Sequence, residues 1–293
     1  MAEDQSRRPM RRAPSVAATA AERCMLCGGT VFRDLVIPQR CTMRRCLGCG
    51  FWVSRGFQPE QGLSEHYGAA YQESLYGQWG RRKRRSARFI MQSIEGLVPR
   101  GRFLDLGASL GYVVAAAQER GWEAYGVDVS ADAVAACRRQ GLPAEVGDLQ
   151  HIPFPDGFFD VVHARHVLEH DVEVYRSLEE IRRVLKDDGL LVLEVPDGDC
   201  PKVRRRNAWV GFWWPEHLVC FTRPTLAEFK RRAGFVRVRA APLAGLTRDG
   251  LGRMLPFCGW RMAHILKEKL GWGKAIESLW RKGGEPDWPP AAG

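Results

Sequence analysis

Between residues 103 and 195, the sequence alternates short apolar runs with longer segments of helical periodicity. Apolar runs of this length predict buried strands, and the segments between them predict the crossover helices that parallel strands require. The alternation therefore predicts an α/β fold with a doubly wound, mostly parallel sheet. The predicted strands are residues 103–106, 123–127, 144–146, 158–163, 190–195 and 235–241, and the predicted helices are residues 113–120, 131–140, 174–185 and 226–232.

A short glycine-containing turn, residues 107–111, joins the first of these strands to the first helix. At such a turn the backbone can approach a ligand closely, in the crevice beyond the strand ends. The turn lacks the third glycine of the dinucleotide fingerprint, which argues against a nicotinamide cofactor. Three acids accompany the turn: Asp105 precedes it, Asp128 ends the second strand and Asp148 ends the third.

In type and order, these residues resemble those of the class I S-adenosylmethionine-dependent methyltransferases. The resemblance implies S-adenosylmethionine (SAM) as the cofactor and a Rossmann-like methyltransferase fold. The turn would then cradle the methionine part of SAM, Asp128 would hold the ribose hydroxyls, and Asp148 with Leu149 would meet the adenine. Seven residues are assigned to cofactor binding in this way: Asp105, Gly107, Ser109, Gly111, Asp128, Asp148 and Leu149.

A narrower resemblance begins after the fifth strand, where residues 214–222 look like a segment of methyltransferases from sugar, glycan and natural-product pathways. Some sugar C-methyltransferases carry an N-terminal zinc module and use a Glu-His pair at the matching place for acid–base chemistry. The resemblance implies that role for Glu216 and His217. Because histidine titrates near neutrality, His166 and His170 compete with His217 as acceptor of the substrate's proton. Methylation of oxygen, nitrogen or carbon stays open.

Two Cys-x-x-Cys pairs precede this domain: Cys24, Cys27, Cys46 and Cys49. Each pair supplies two thiolates from one tight turn, and two turns complete the tetrahedral site that Zn²⁺ prefers. Gly28 and Gly50 follow the pairs, where a positive φ lets backbone N–H groups turn toward the sulfurs. Four thiolates leave no open coordination position, so the zinc would be structural. Cys41 lies off this register, which favours a packed thiol.

The chain has 293 residues and a net charge of +10, with basic clusters at residues 81–88 and 202–206. Such clusters can contact the phosphates of a nucleic acid or of a phosphate-bearing or lipid-linked small molecule. They can equally be solvated surfaces, and charge does not separate these partners. The expected function is SAM-dependent methyl transfer to a small-molecule acceptor, a saccharide, lipid-linked glycan or secondary metabolite. The alternative is an RNA methyltransferase, or an RNA-binding zinc ribbon with a degenerate enzyme domain.

Five regions follow from these patterns. They are a flexible basic tail (1–20), a zinc ribbon (21–57), a helical cap or linker (58–100), the SAM-binding domain (101–245) and an amphipathic helical extension (246–293). Reduced thiols suit a cytoplasmic location. Residues 251–282 mix aromatic and basic side chains, so this extension either packs on its own domain or makes peripheral contact with the inner membrane face.

Overall fold

The computed structural model describes residues 23–37, 41–55, 80–95, 97–200, 217–238 and 275–287. Its strands are β1 (Phe32–Ile37), β2 (Cys41–Cys46), β3 (Trp52–Arg55), β4 (Arg102–Leu106), β5 (Glu123–Asp128), β6 (Ala144–Val146), β7 (Phe159–Arg165), β8 (Leu185–Pro196), β9 (Val219–Cys220), β10 (Phe235–Arg237) and β11 (Ala275–Lys282). Its helices are α1 (Gly80–Ile94), α2 (Tyr112–Gln118), α3 (Ala131–Arg139), α4 (Val174–Val184) and α5 (Arg223–Arg232), with a 3₁₀ turn at Leu168–His170.

Seven strands form the central sheet, in the order β10-β11-β8-β7-β4-β5-β6. Strands β4 to β8 pair in parallel, as expected for strands joined by crossover helices. The strand order runs outward from β4 in both directions, to β5 on one side and to β7 on the other, and ligands bind at such a switch point in doubly wound sheets. This arrangement confirms the predicted fold class. The predicted strands 123–127 and 144–146 match β5 and β6 to within one residue.

The prediction of a helical extension is wrong for Ala275–Lys282, which form β11. This strand lies between β8 and β10 and is antiparallel to both. It therefore completes the central sheet, although the predicted domain ended at residue 245. The Trp280 side chain is buried against the core, so this aromatic residue packs on its own domain. Residues 246–274, with most of the amphipathic pattern, lie outside the described residues.

Helix α1 belongs to the predicted cap and places an apolar face on the domain through Ala87, Ile90, Met91 and Ile94. Its basic cluster is partly engaged within the molecule. The guanidinium carbon of Arg84 lies over the Tyr112 ring, 5.5 Å from its centroid. Arg88 pairs with Glu119 at 3.4 Å. Within the part of the chain that the structure describes, no helix is long and apolar enough to cross a membrane.

The cysteine-bearing segment forms a second sheet, β1-β2-β3-β9, that is antiparallel throughout. Its last strand comes from the C-terminal half of the sequence, since Trp52 pairs with Cys220 and Val53 with Val219. The Phe51 ring packs 5.7 Å from Phe221 and 5.0 Å from Phe229, centroid to centroid. Residues of the cysteine-bearing segment and of the central domain thus share one apolar core.

Candidate active site

The predicted cofactor turn lies between β4 and α2 and uses an unusual backbone. Gly107, Ser109 and Gly111 all have positive φ angles, of 70°, 48° and 74°. A Cβ at Gly107 would lie 2.6 Å from Val167 Cγ2, and one at Gly111 would lie 2.5 Å from Leu142 Cδ1. Glycine is therefore required at both ends of the turn, for conformation and for space. The close approach to Val167 also places residues 166–170 beside the turn.

Asp128 ends β5 and faces the same turn. Its carboxylate accepts hydrogen bonds from the backbone N–H groups of Ser109, at 2.8 Å, and Ser130, at 2.9 Å. Burial raises the pKa of Asp128, although these two hydrogen bonds oppose the rise. Each carboxylate oxygen keeps a further lone pair, so the group can still accept from the hydroxyls of a ribose. The geometry fits the predicted cofactor, and the assignment stays a prediction.

The other two acids of the predicted cofactor site have partners of their own. Asp105 is buried beneath the turn, and its Oδ1 lies 2.6 Å from His163 Nδ1. Asp148 accepts the backbone N–H groups of Gln150 and His151 at 2.8 Å each and so closes a tight turn. Leu149, within that turn, is buried. An apolar wall at Leu149 is suited to the flat face of an adenine ring, and these assignments also stay predictions.

A set of charged groups beside Asp105 was not recognised from sequence. Arg165, at the end of β7, donates to Ser86 Oγ on α1 at 2.9 Å and lies 3.1 Å from Glu194 Oε1. Lys83 lies near them: burial and the neighbouring Arg165 lower its pKa to about 8. In sequence Lys83 was one of six basic residues on a surface cluster. Only the packing of α1 against the strand ends separates it from the others.

Glu169 is the centre of a polar cluster at the carboxyl end of β7. It is fully buried, and its Oε1 lies 3.1 Å from His166 Nδ1 and 4.0 Å from His217 Nε2. The His170 ring meets the His217 ring edge-on at a centroid distance of 5.0 Å. The three histidines that compete in sequence as proton acceptors therefore gather around one carboxylate. Glu216 lies outside the described residues.

His166 is held between two carboxylates, with Nδ1 on Glu169 and Nε2 at 3.3 Å from Glu194 Oε1. Burial lowers its pKa, but the hydrogen bonds to Glu169 and Glu194 outweigh burial and raise the pKa to about 9. A histidine that is protonated at neutral pH cannot accept a proton there. The catalytic role of His166 stays a prediction. The geometry favours a protonated His166 ring that holds the carboxylates of Glu169 and Glu194 in place.

The four predicted metal ligands converge although they come from two separate turns. The Sγ atoms of Cys24, Cys27, Cys46 and Cys49 all lie within 4.8 Å of one another. Zinc–sulfur bonds of about 2.3 Å place tetrahedral ligands about 3.8 Å apart, and the sulfurs of Cys27 and Cys46 are 3.5 Å apart and those of Cys24 and Cys49 3.6 Å apart. Gly28 and Gly50 have the expected positive φ angles, 72° and 82°. The donor set and spacing fit a tetrahedral zinc ion.

A family model for a methyltransferase domain matches residues 78–240, more than half of the chain. The chain belongs to this methyltransferase-domain family. The matched residues include the glycine turn, Asp128, the Glu169 cluster and His217. The four cysteines and strand β11 lie outside the matched range.

Two curated relatives of this methyltransferase-domain chain show how much of its sequence is shared with known proteins. An uncharacterised 37.1 kDa protein in transposon TN4556 of Streptomyces fradiae is 29% identical over 180 residues, which cover 56% of this chain and 52% of that protein. A demethylmenaquinone methyltransferase of Mycobacterium sp. (strain KMS) is 26% identical over 166 residues, which cover 56% of this chain and 70% of that protein. The chain thus spans about half the length of the first relative.

Among solved structures, a SAM-dependent methyltransferase from Archaeoglobus fulgidus aligns with a TM-score of 0.51 and 17% identity. The alignment covers 73% of this chain and 98% of that one. At this identity the likeness shows the fold alone. It agrees with the doubly wound sheet described above.

Proposed function

We propose that this protein transfers a methyl group from SAM to an oxygen of a small-molecule acceptor, a saccharide, lipid-linked glycan or related secondary metabolite. The observation that carries the proposal is the adjacency of two features at one edge of the sheet. The glycine turn and Asp128 form a cofactor cradle, and residues 166–170 lie directly beside it through Val167. The site therefore offers a place for the cofactor and a polar place for an acceptor.

Methyl transfer to a hydroxyl requires that the acceptor oxygen be aligned with the methyl carbon and the sulfur, and that the hydroxyl lose its proton. SAM would supply an electrophilic methyl on a sulfonium, so that the acceptor oxygen gains the methyl group, loses one proton and leaves S-adenosylhomocysteine. Alignment of the reacting atoms within about 3 to 3.5 Å is the main requirement of such a displacement. We assign the handling of the acceptor hydroxyl to the cluster of Glu169, His170 and His217. Glu216 is the further candidate from the sequence.

A small acceptor suits the burial of this cluster. Glu169 is fully buried, and the His217 side chain is only 10% exposed. A sugar hydroxyl can reach groups that are this buried more readily than the backbone of an RNA helix can. The basic residues of α1 give limited support to an RNA partner, because Lys83, Arg84 and Arg88 contact their own domain. The second basic cluster, residues 202–206, lies outside the described residues.

We propose a structural role for zinc at the four cysteines. Burial raises the pKa of the Cys24 thiol to about 11, so a cation is needed to keep this thiol and its three neighbours together as thiolates. The ion would hold the cysteine-bearing segment, which supports β9 and through it the loop that carries His217. Chelation of this zinc should therefore lower activity through loss of structure.

The test is transfer of labelled methyl groups from SAM into a lysate of a strain that lacks this gene, with an Asp128→Asn variant as control. Label that survives ribonuclease and partitions with nucleotide sugars, lipids or small metabolites supports the proposal. Label released by ribonuclease replaces it with the RNA alternative. If the purified, folded protein fails to bind S-adenosylhomocysteine, the proposal of methyl transfer is refuted.

A further inference from the structure

The cluster around Glu169 has the composition of a metal site as well as that of a catalytic acid–base pair. One ligand atom each from Glu169, His170 and His217 lies within 4.8 Å of the others. Two imidazoles and a carboxylate form a donor set that binds divalent transition metals such as Zn²⁺, Mn²⁺, Fe²⁺ and Co²⁺. Ligand atoms on a tetrahedral ion with bonds of about 2.1 Å lie about 3.4 Å apart. Small side-chain rotations would bring the three atoms to that spacing.

A second observation points to a missing ligand. Oε1 of Glu169 is engaged by His166, but Oε2 is buried and has no hydrogen-bond partner within the described part of the chain. An unsatisfied carboxylate oxygen in a fully buried side chain carries a large desolvation cost. A cation at Oε2 would remove that cost.

The backbone places the three ligands with little freedom. Glu169 and His170 lie in the 3₁₀ turn Leu168–His170, which follows directly from β7. The backbone N–H of Leu218 donates to the Glu169 carbonyl oxygen at 2.8 Å and so fixes the residue next to His217 against this turn. The His166 ring contacts the Glu169 carboxylate, and Glu194 in turn holds the other nitrogen of that ring. Metal sites are commonly held by such outer hydrogen bonds.

We propose that Glu169, His170 and His217 bind one divalent transition-metal ion, separate from the four-cysteine zinc, with positions left open toward the acceptor. Three protein ligands leave at least one coordination position for an exogenous oxygen. An oxygen acceptor that contacts the ion would have the pKa of its hydroxyl lowered, which eases loss of the proton. This role toward the acceptor rests on the proposed function. The binding of the ion does not.

Cobalt is a suitable probe because it distinguishes the two sites. The full-length protein, with zinc in the four-cysteine site, is titrated with Co²⁺, and bound metal is measured by equilibrium dialysis with elemental analysis. Thiolates hold zinc more tightly than cobalt, and cobalt on thiolates would reveal itself by charge-transfer absorption. We expect one Co²⁺ per chain beyond the retained zinc, without that absorption. A folded protein that binds no Co²⁺ overturns the proposal.

The variants His170→Ala, His217→Ala and Glu169→Gln assign the ligands. Each should weaken Co²⁺ binding by at least about ten-fold. His151→Ala is the matched control, since His151 is exposed and lies outside the cluster, and it should bind as the wild type does. Should Glu169→Gln fail to fold, the partly exposed His170 still provides the test. Equal Co²⁺ affinity in the wild type and in the folded histidine variants would overturn the assignment.

Binding of S-adenosylhomocysteine to the same variants separates this proposal from the proposed function. The cofactor residues are different, so each folded variant should bind S-adenosylhomocysteine within about three-fold of wild type by calorimetry, roughly 0.6 kcal/mol. Loss of Co²⁺ with retained cofactor binding supports the metal site. If the wild type binds Co²⁺ in the cluster but no S-adenosylhomocysteine, the metal site stands and the methyltransferase proposal falls. If the wild type binds S-adenosylhomocysteine but no Co²⁺, the metal site falls and the methyltransferase proposal stands.

Discussion

The backbone N–H of Ser54 donates to the carbonyl oxygen of Leu218 at 2.7 Å. Ser54 lies in β3 of the cysteine-bearing sheet, and the N–H of Leu218 in turn donates to the buried Glu169. A continuous path of backbone hydrogen bonds thus runs from the cysteine-bearing segment to the polar cluster at the sheet edge. His217 precedes Leu218, so its position depends on the cysteine-bearing sheet. The N-terminal segment is a structural part of the candidate active site.

Replacement of Phe51 by Ala should destabilise the whole domain as well as the cysteine-bearing segment. The Phe51 ring is buried between Phe221 and Phe229, and loss of such a ring costs about 3 to 5 kcal/mol. The described helices all lie outside residues 23–55, so helical circular dichroism reports on the domain. We expect its denaturation midpoint to fall markedly. Leu47→Ala, at an exposed position of the same segment, should leave it nearly unchanged. A midpoint that stays fixed in Phe51→Ala would show that the two parts fold independently.

Gly111→Ala should abolish cofactor binding, whereas Gly141→Ala should preserve it. Both glycines have a φ of 74°, so alanine pays a similar backbone cost at each, about 1 to 2 kcal/mol. At Gly111 the new Cβ would also lie 2.5 Å from Leu142 and 3.0 Å from the Cys137 sulfur, but at Gly141 it meets nothing within 4 Å. Calorimetry with S-adenosylhomocysteine measures the difference. Equal affinities in the two variants would contradict the assigned role of the turn.

Asp128→Asn should weaken S-adenosylhomocysteine binding by about 1.5 to 3 kcal/mol, because a charged acceptor of the ribose hydroxyls becomes neutral. Burial raises the pKa of Asp128 above its usual value of 3.8, so the carboxylate is lost at a higher pH than in an ordinary aspartate. Wild-type affinity should therefore fall as the pH is lowered toward 4, and the variant should lack this decline. Asp187→Asn, at a side chain that is 98% exposed, serves as control. An identical pH profile for wild type and Asp128→Asn would refute the interpretation.

Lys230→Met should stabilise the protein at neutral pH. Lys230 is buried beside Trp280 and hydrogen-bonds Ser278, and its burial lowers its pKa well below 10.5. Between that lowered pKa and 10.5, the unfolded chain takes up a proton that the folded chain excludes, so the free energy of unfolding rises with pH in this window. The methionine variant has no such group and should lose the rise.

Urea unfolding of both proteins from pH 7 to pH 10 measures this difference. Lys186→Met is the control: it removes a half-exposed lysine that pairs with Asp160 at 2.8 Å. Loss of an exposed pair costs about 0 to 1 kcal/mol, and the wild-type pH dependence should remain because Lys230 is still present. Parallel stability curves for wild type and Lys230→Met would mean that Lys230 stays charged in the folded protein.

Local patterns were sufficient for the parallel strands of the central sheet and for the three turns in which ligand-binding residues were predicted. Apolar runs with crossover helices specify parallel strands, and β5 and β6 form close to where the periodicity predicts them. The two Cys-x-x-Cys turns and the glycine turn depend on short-range backbone geometry, which a few neighbouring residues determine. Their side chains and φ angles agree with what the sequence predicts.

Other features required contacts between distant parts of the chain. Strand β11 was predicted as a helix because its aromatic and basic pattern suits either element, and only its pairing with β8 makes it a strand. Lys83 could not be distinguished from its basic neighbours before α1 was packed on the sheet edge. The meeting of His217 with Glu169 and His170 depends on the pairing of β3 with β9, across more than 160 residues.

The amino-acid sequence alone therefore predicted the fold class, the positive-φ glycines after the two Cys-x-x-Cys pairs and the convergence of the four cysteines, because each depends on local patterns or on the spacing of a short segment. The tertiary structure alone decided which acids and histidines share a site. Burial and long-range pairing fix those distances, and a one-dimensional pattern contains neither. The raised pKa of His166 and the lowered pKa of Glu169 follow from their contacts with oppositely charged neighbours, which outweigh burial, whereas the lowered pKa of Lys83 follows chiefly from its burial.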